Sequence, residues 1–153
     1  FKSKYCCMLK NYRFYAFAAV VCQLLTAFLH SLSFFKGPVA SNEQEKQMLD
    51  LMMNYKMDMG MGMMRSMFSL VTSLSACMTL LCFFGGMLNF YLLKSNVENS
   101  VLKGVMGINA LTFGVGTIIM IVFAFMPPIV CFALIFLFSF LAFLLLPKTQ
   151  VGN

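Results

Sequence analysis

The chain has 153 residues, of which 61% are hydrophobic and 10% are charged. Soluble domains carry roughly 25% charged residues, so this composition excludes an ordinary globular protein. A formal net charge of +6 could favour nucleic acid, but the basic residues border long apolar stretches, where anionic lipid headgroups are the expected neighbours. We therefore predict a protein of the lipid bilayer with no nucleic-acid partner.

Four stretches contain no Asp, Glu, Lys or Arg, and each is long enough to cross a hydrocarbon layer of about 30 Å as a helix. They predict transmembrane helices at about 14–35, 66–93, 104–126 and 127–147. The strands of a β-barrel would alternate apolar and polar residues, which residues 129–146 do not do. The predicted fold is all-α, an integral membrane four-helix bundle that forms a single domain over residues 1–153.

Basic residues mark one side of the predicted bundle. Outside the 36–65 connection they lie before the first span, between the second and third, and after the fourth: Lys2, Lys4, Lys10, Arg13, Lys94, Lys103 and Lys148. The 36–65 connection has as many acidic as basic residues. Because basic residues favour the cytoplasmic side, we predict cytoplasmic N and C termini, an outer loop at 36–65, and a multi-pass protein of the bacterial inner membrane.

The outer loop is expected to contain a short amphipathic helix. Ser41 and Gln44 fit a capping box, and apolar residues then recur at helical spacing: Met48, Leu51, Met52 and Tyr55. We predict a helix from about Asn42 to Tyr55, with its apolar edge on the membrane interface or on the outer end of the bundle.

The third and fourth spans are predicted to form an antiparallel hairpin, because Pro127 and Pro128 allow only a tight connection between them. The third span is rich in glycine, which lets helices approach closely in lipid, and is expected to be central. The fourth has only Cys131 and Ser139 as mildly polar members. We expect it to be the outermost helix, facing lipid.

Polar residues in the spans are candidates for ligand or lipid contact. Gln23 and His30 share a face of the first span, and Asn109 lies in the third. His30 is the only histidine, and polar groups at membrane depth are costly. One interpretation is a neutral imidazole that bonds to a backbone carbonyl, to Asn109 or to Thr72. The other is contact with a metal, quinone or lipid headgroup, or proton transfer.

Arg65 is predicted to begin the second span, where the helix dipole disfavours a cation. A negative group is therefore expected nearby. The candidates are Asp58, a phospholipid phosphate and an anionic substrate. With His30, these residues could meet at the outer mouth of the bundle.

Methionine is concentrated in and around the outer loop. Nine of the fifteen methionines lie between positions 48 and 67, and five are candidate metal ligands: Met57, Met59, Met61, Met63 and Met64. Thioether sulfur is a soft ligand that suits Cu(I). The alternative is flexible apolar packing against lipid or a protein neighbour.

Two stretches, Leu29-His-Ser-Leu-Ser-Phe-Phe35 and Asn54-Tyr-Lys-Met-Asp-Met-Gly60, together with the four-span layout, resemble small bacterial membrane proteins of the DoxX-like families. The resemblance implies a four-helix bundle of a kind that is sometimes associated with redox or quinone-linked complexes. It carries over no catalytic motif.

No hydrolase motif, phosphate loop or dinucleotide fingerprint occurs in the sequence, so no catalytic residue and no cofactor are predicted. We favour a non-catalytic accessory or structural subunit that packs against a larger membrane complex or forms a homo-oligomer. One alternative is a copper- or redox-associated protein that uses the methionine-rich loop. Another is a lipid- or quinone-binding enzyme or carrier.

Overall fold

The computed structural model describes residues 11–35 and 37–147. Its elements, in chain order, are α1 (Tyr12–Ser31), a 3-10 turn (Leu32–Phe35), α2 (Glu43–Asn54), β1 (Lys56–Asp58), β2 (Met64–Ser66), α3 (Met67–Lys94), α4 (Asn99–Phe123) and α5 (Met126–Leu145). Four of the basic residues used to predict the orientation lie outside the described ranges: Lys2, Lys4, Lys10 and Lys148.

Four helices, α1, α3, α4 and α5, are long and apolar enough to cross a membrane, with 20, 28, 25 and 20 residues. At about 1.5 Å per residue each reaches the thickness of the hydrocarbon layer. The helical class and the four apolar spans are therefore confirmed, and they indicate a multi-pass membrane protein.

The helix bounds differ from the predicted ones where charge was used as the limit. The predicted third span began at residue 104, whereas α4 begins at Asn99 and includes Lys103. A lysine can bury its aliphatic stem while its ammonium stays at the polar surface, so it does not end a helix. The first α-helix ends at Ser31 and continues as a 3-10 turn to Phe35.

The described chain forms two compact units. The larger unit comprises residues 11–26 and 82–147, and the smaller comprises residues 27–35 and 37–81. Helices α1 and α3 each contribute residues to both. The single domain over residues 1–153 stays a prediction.

In the larger unit, α4 and α5 form an antiparallel hairpin joined by Ala124 and Phe125. The Ala124 amide bonds to the Met120 carbonyl at the end of α4, and proline occupies the first turn of α5, where its missing N–H costs nothing. Glycines of α4 lie against phenylalanine rings of α5, in the pairs Gly107–Phe143, Gly114–Phe136 and Gly116–Phe132.

This packing corrects the expectation that the fourth span is the outermost helix. In α5, 22% of the most apolar 18 residues are buried, whereas in α3 only 6% of the corresponding residues are buried. The buried residues of α5 are Phe132, Ile135, Ser139 and Ala142. The apolar composition of the fourth span could not show whether its neighbours are lipid or protein. Its phenylalanine rings pack against protein because the glycines of α4 leave room for them.

The smaller unit contains α2, which occupies the segment expected to be helical. Its N-cap is Asn42, whose side chain accepts a 2.8 Å bond from the Glu45 amide, while the Glu45 carboxylate accepts a bond from the Ser41 amide. The cap thus lies one residue later than the predicted pair of Ser41 and Gln44, because the Asn42 amide oxygen takes the capping role.

A β-hairpin follows α2 and was not predicted. Strands β1 and β2 are antiparallel with Lys56 opposite Ser66, Met57 opposite Arg65 and Asp58 opposite Met64. Arg65 therefore lies in a strand, and α3 begins two residues later at Met67. The expectation that Arg65 begins the second span is wrong because strand pairing, and not helix, satisfies its backbone.

Candidate functional site

A buried hydrogen bond joins two membrane-spanning helices in the larger unit. The side-chain amide of Asn89 on α3 donates a bond of 2.8 Å to the Oε1 of Gln23 on α1. Both side chains are almost fully buried. Gly85 and Gly86 lie one turn from Asn89, and a Cβ at Gly86 would meet the Leu24 side chain at 2.7 Å. The glycines allow the close approach of the two helices that this bond requires.

Two further polar groups are buried in the larger unit, one on α4 and one on α5. The Asn109 Nδ2 and the Ser139 Oγ are shielded from solvent and have no hydrogen-bond partner within the described residues. They lie at one level of the hairpin, because the Gly107–Phe143 and Gly114–Phe136 contacts lie on either side of them. Both groups therefore remain available for hydrogen bonding.

The four polar residues lie at about one depth. A buried cluster near one end of the unit contains residues from α1, from α4 and from α5 and its end, among them Ala16, Leu102 and Leu146. A polar residue lies seven residues, or about 10 Å along the helix, from each of these three. The polar residues are Gln23 on α1, Asn109 on α4 and Ser139 on α5. We call these three and Asn89 the polar layer.

The polar layer consists of amides and a hydroxyl. Such groups form hydrogen bonds between helices, but they lack the ionisable character that general acid–base catalysis uses. Sequence analysis selected Gln23 and Asn109 from this layer and missed Asn89 and Ser139. The glycine pair before Asn89 is the signal that could have identified it as a contact residue.

One end of the larger unit is basic. The Arg13 guanidinium donates to the Asn96 side chain at 2.8 Å, and the Lys103 ammonium donates to the Leu146 carbonyl at 2.6 Å. The Lys103 contact satisfies a carbonyl at the C-terminal end of α5, where a cation is also favoured by the helix dipole. Arg13 of α1 therefore lies beside the connection between α3 and α4, and Lys103 of α4 lies beside the end of α5.

An apolar groove of about 430 Å³ runs along the α4–α5 hairpin from this basic end. Its floor is formed by Gly107, Ala110 and Gly114 and its wall by the rings of Phe136, Phe140 and Phe143. The Lys103 ammonium lies 5.4 Å from the centroid of the Phe143 ring. We call this the aromatic groove.

The residues expected at the outer mouth are His30, Asp58 and Arg65, and each makes its own local contacts within the smaller unit. His30 is half-buried with its ring edge-on to Phe34, at 6.3 Å between centroids. The Asp58 carboxylate accepts a 2.8 Å bond from the Gly60 amide. Within residues 11–35 and 37–147 no ion pair joins Asp58 to Arg65, and the pair that forms is Lys46 with Glu43 on α2.

The hairpin register separates the methionine candidates. Met57 shares a face with Arg65, whereas Asp58 and Met64 share the opposite face. The Met59 amide bonds to the Met63 carbonyl at 2.9 Å, so these residues continue the ladder beyond the strands. Met61 lies at the tip and is fully exposed.

Other metal ligands do not cluster in the described part of the chain. No group of three or more His, Cys, Asp or Glu residues there could hold a metal ion. The cysteines of this part are free thiols, at positions Cys22, Cys77, Cys82 and Cys131.

Comparison of the chain with protein-family models, with curated proteins and with solved structures finds no match.

Proposed function

We propose that the protein is a non-catalytic membrane subunit that packs beside a larger membrane protein, with α3 as the contacting helix. The observation that carries this proposal is the low burial of α3. Only 6% of its most apolar 18 residues are buried, against 28% in α1, 17% in α4 and 22% in α5. Because the rest of the chain covers so little of α3, most of the surface of this helix is available for another protein.

The chemistry of α3 suits packing in lipid. Helices associate in a bilayer by close van der Waals contact, which small residues favour. The hydroxyls of Thr72 and Ser73 donate to carbonyls one turn back, each at 2.8 Å, and Thr79 does the same at 3.0 Å. Because these donors are satisfied within the helix, another apolar helix can lie against them without leaving a buried donor unpaired.

The polar layer supports a structural role for the interior. Its members, Gln23, Asn89, Asn109 and Ser139, can hold helices together but include no general acid or base. The Ser139 hydroxyl has no hydrogen-bond partner among the described residues that could activate it as a nucleophile. A resemblance to the DoxX-like families belongs to this proposal, since it implies a four-helix bundle of a kind that is sometimes associated with redox or quinone-linked complexes.

The proposed orientation places the basic end of the larger unit in the cytoplasm, with both termini on that side and the protein in the bacterial inner membrane. It is supported by the contacts of Arg13 and Lys103 at that end, because positive residues favour the cytoplasmic side. The segment with α2 and the hairpin would then be outside. Leu51 and Met48 of α2 are exposed and would rest on the membrane interface.

Photo-crosslinking in native membranes tests the subunit proposal. A benzophenone amino acid is placed at Leu80 on α3 or, as the matched control, at Ile108 on α4. Both side chains are 66% exposed. We expect a discrete protein adduct from position 80 and chiefly lipid adducts from position 108. Lipid adducts alone at position 80 in cells that express the protein from its own locus would overturn the proposal.

A second candidate function, binding of an anionic lipid, is favoured by the aromatic groove. An acyl chain fits a long apolar groove between helices, and the Lys103 ammonium at its basic end suits a phosphate. Native mass spectrometry in mild detergent tests this. Lys103→Gln should lose a co-purifying anionic phospholipid, whereas Lys94→Gln, at the exposed end of α3, should retain it. Equal lipid occupancy in both variants contradicts this function.

A further inference from the structure

Three methionines share one face of the β-hairpin in the smaller unit. Side chains alternate between the two faces along a strand. Met57 and Arg65 are paired across the strands, and the bond from the Met59 amide to the Met63 carbonyl extends the same ladder by one residue. Met59 is two residues from Met57 and Met63 is two from Arg65, so all four occupy the same face.

The turn holds Met59 and Met63 opposite each other. Three residues connect them, and the Met63 amide bonds to the Gly60 carbonyl at 3.1 Å. Gly60 has a φ of 90°, and the two central residues of this turn, Met61 and Gly62, have φ values of 54° and 75°. Positive φ at both central positions is typical of a type I′ turn, whose twist matches that of paired strands. A long flexible loop would not fix the two methionines in this way.

The spacing suits joint coordination by sulfur. Directly opposed residues have Cβ atoms about 4.5–5.5 Å apart, and each methionine has three rotatable side-chain bonds that let its sulfur reach a common point. Met59 and Met63 are 42% and 50% exposed, so a metal ion can approach from solvent. Thioether sulfur is soft and selects Cu(I) over hard cations.

We propose that Met57, Met59 and Met63 form a Cu(I) site on this face of the hairpin, with Met59 and Met63 as its principal ligands. The site excludes Met64, which shares the opposite face with Asp58, and Met61, which projects at the tip. Arg65 lies opposite Met57 on the same face and weakens binding through its positive charge. This inference is independent of the subunit proposal, because it rests on the register and turn of the hairpin and not on the exposed surface of α3.

Titration of the full chain in detergent micelles with Cu(I), in competition with a chromogenic Cu(I) chelator, tests the site. It is done at pH 5, where protons compete with the metal for thiol sulfur but not for thioether sulfur, so that binding by cysteine is weakened relative to binding by methionine. The double variant Met59→Leu with Met63→Leu preserves side-chain volume and should reduce the affinity at least tenfold. The matched control, Met48→Leu with Met53→Leu, changes two exposed methionines of α2 and should have no effect.

Two further measurements identify the ligands. With methionine labelled at its methyl carbon, NMR should show that Cu(I) shifts the signals of Met57, Met59 and Met63 together, whereas Zn²⁺ shifts none. Arg65→Gln should strengthen Cu(I) binding about threefold, from removal of one charge about 6 Å away at water-like dielectric. Unchanged affinity in the Met59→Leu/Met63→Leu variant, or an equal loss in the α2 control, overturns the proposed site.

Discussion

Asn89 and Gln23 are 66 residues apart in sequence, yet their side-chain amides are joined by a buried hydrogen bond of 2.8 Å between α3 and α1. Asn89→Leu removes the donor and leaves the Gln23 Oε1 buried without it. We expect a loss of about 1–3 kcal/mol in the free energy of unfolding, measured by reversible SDS unfolding in mixed micelles.

A double-mutant cycle separates this bond from general packing. The double variant Gln23→Leu with Asn89→Leu should recover part of the loss, with a coupling energy of about 0.6–1.7 kcal/mol, as for other hydrogen bonds within membranes. A coupling energy of zero would mean that the two amides do not stabilise the helix pair.

Two glycines of α4 should respond oppositely to alanine. A Cβ at Gly116 would lie 2.7 Å from the Phe132 ring, whereas a Cβ at Gly104 would meet nothing within 4 Å. Gly116→Ala should cost about 1–3 kcal/mol through overpacking. Gly104→Ala should stabilise α4 by up to about 1 kcal/mol, because alanine has the higher helix propensity. SDS unfolding of the two variants in parallel checks both signs, and equal effects would contradict this packing.

Alanine substitutions should show that Asn42, and not Ser41, supplies the side chain that caps α2. Asn42→Ala removes the side chain that accepts from the Glu45 amide and should destabilise α2 by about 1 kcal/mol. Ser41→Ala should have little effect, since Ser41 contributes its backbone amide to the cap. Hydrogen exchange of the α2 amides measures both. Faster exchange in Ser41→Ala than in Asn42→Ala would place the cap at the other residue.

Met61 has a φ of 54°, a conformation that costs L-residues roughly 1–2 kcal/mol and glycine very little. Met61→Gly should therefore slow hydrogen exchange at the Met59 and Met63 amides, which bond across the turn. As a control, Met64→Gly changes a strand residue and should speed exchange there. No protection gained in Met61→Gly would show that the turn is not formed as described.

The four spans could be predicted because an absence of charge over some twenty residues is a strong, local signal. Which helices lie beside each span could not be predicted. Gln23 was predicted as a contact residue on one face of the first span, but its partner Asn89 depends on the register between helices far apart in sequence. Lys103 was treated as a flank of the third span, although its ammonium reaches the Leu146 carbonyl, a contact that only tertiary packing creates.

The β-hairpin could not be predicted for a different reason. Strands of three residues, Lys56–Asp58 and Met64–Ser66, are too short for alternation to be detected. Two glycines at the spacing of Gly60 and Gly62 are compatible with a hairpin turn and equally with an irregular loop. The methionines could therefore be recognised as possible ligands, while the face on which each lies required the strand register.

The two-residue link between α4 and α5 has a consequence for biogenesis. Because the glycine–phenylalanine contacts join residues close in sequence, the last two spans can pair as soon as both have left the ribosome, without waiting for a distant segment. A chain truncated at Phe123 would leave Gly107, Gly114 and Gly116 without the rings that cover them. Such a product should be recognised and degraded by membrane proteases far faster than the full-length protein.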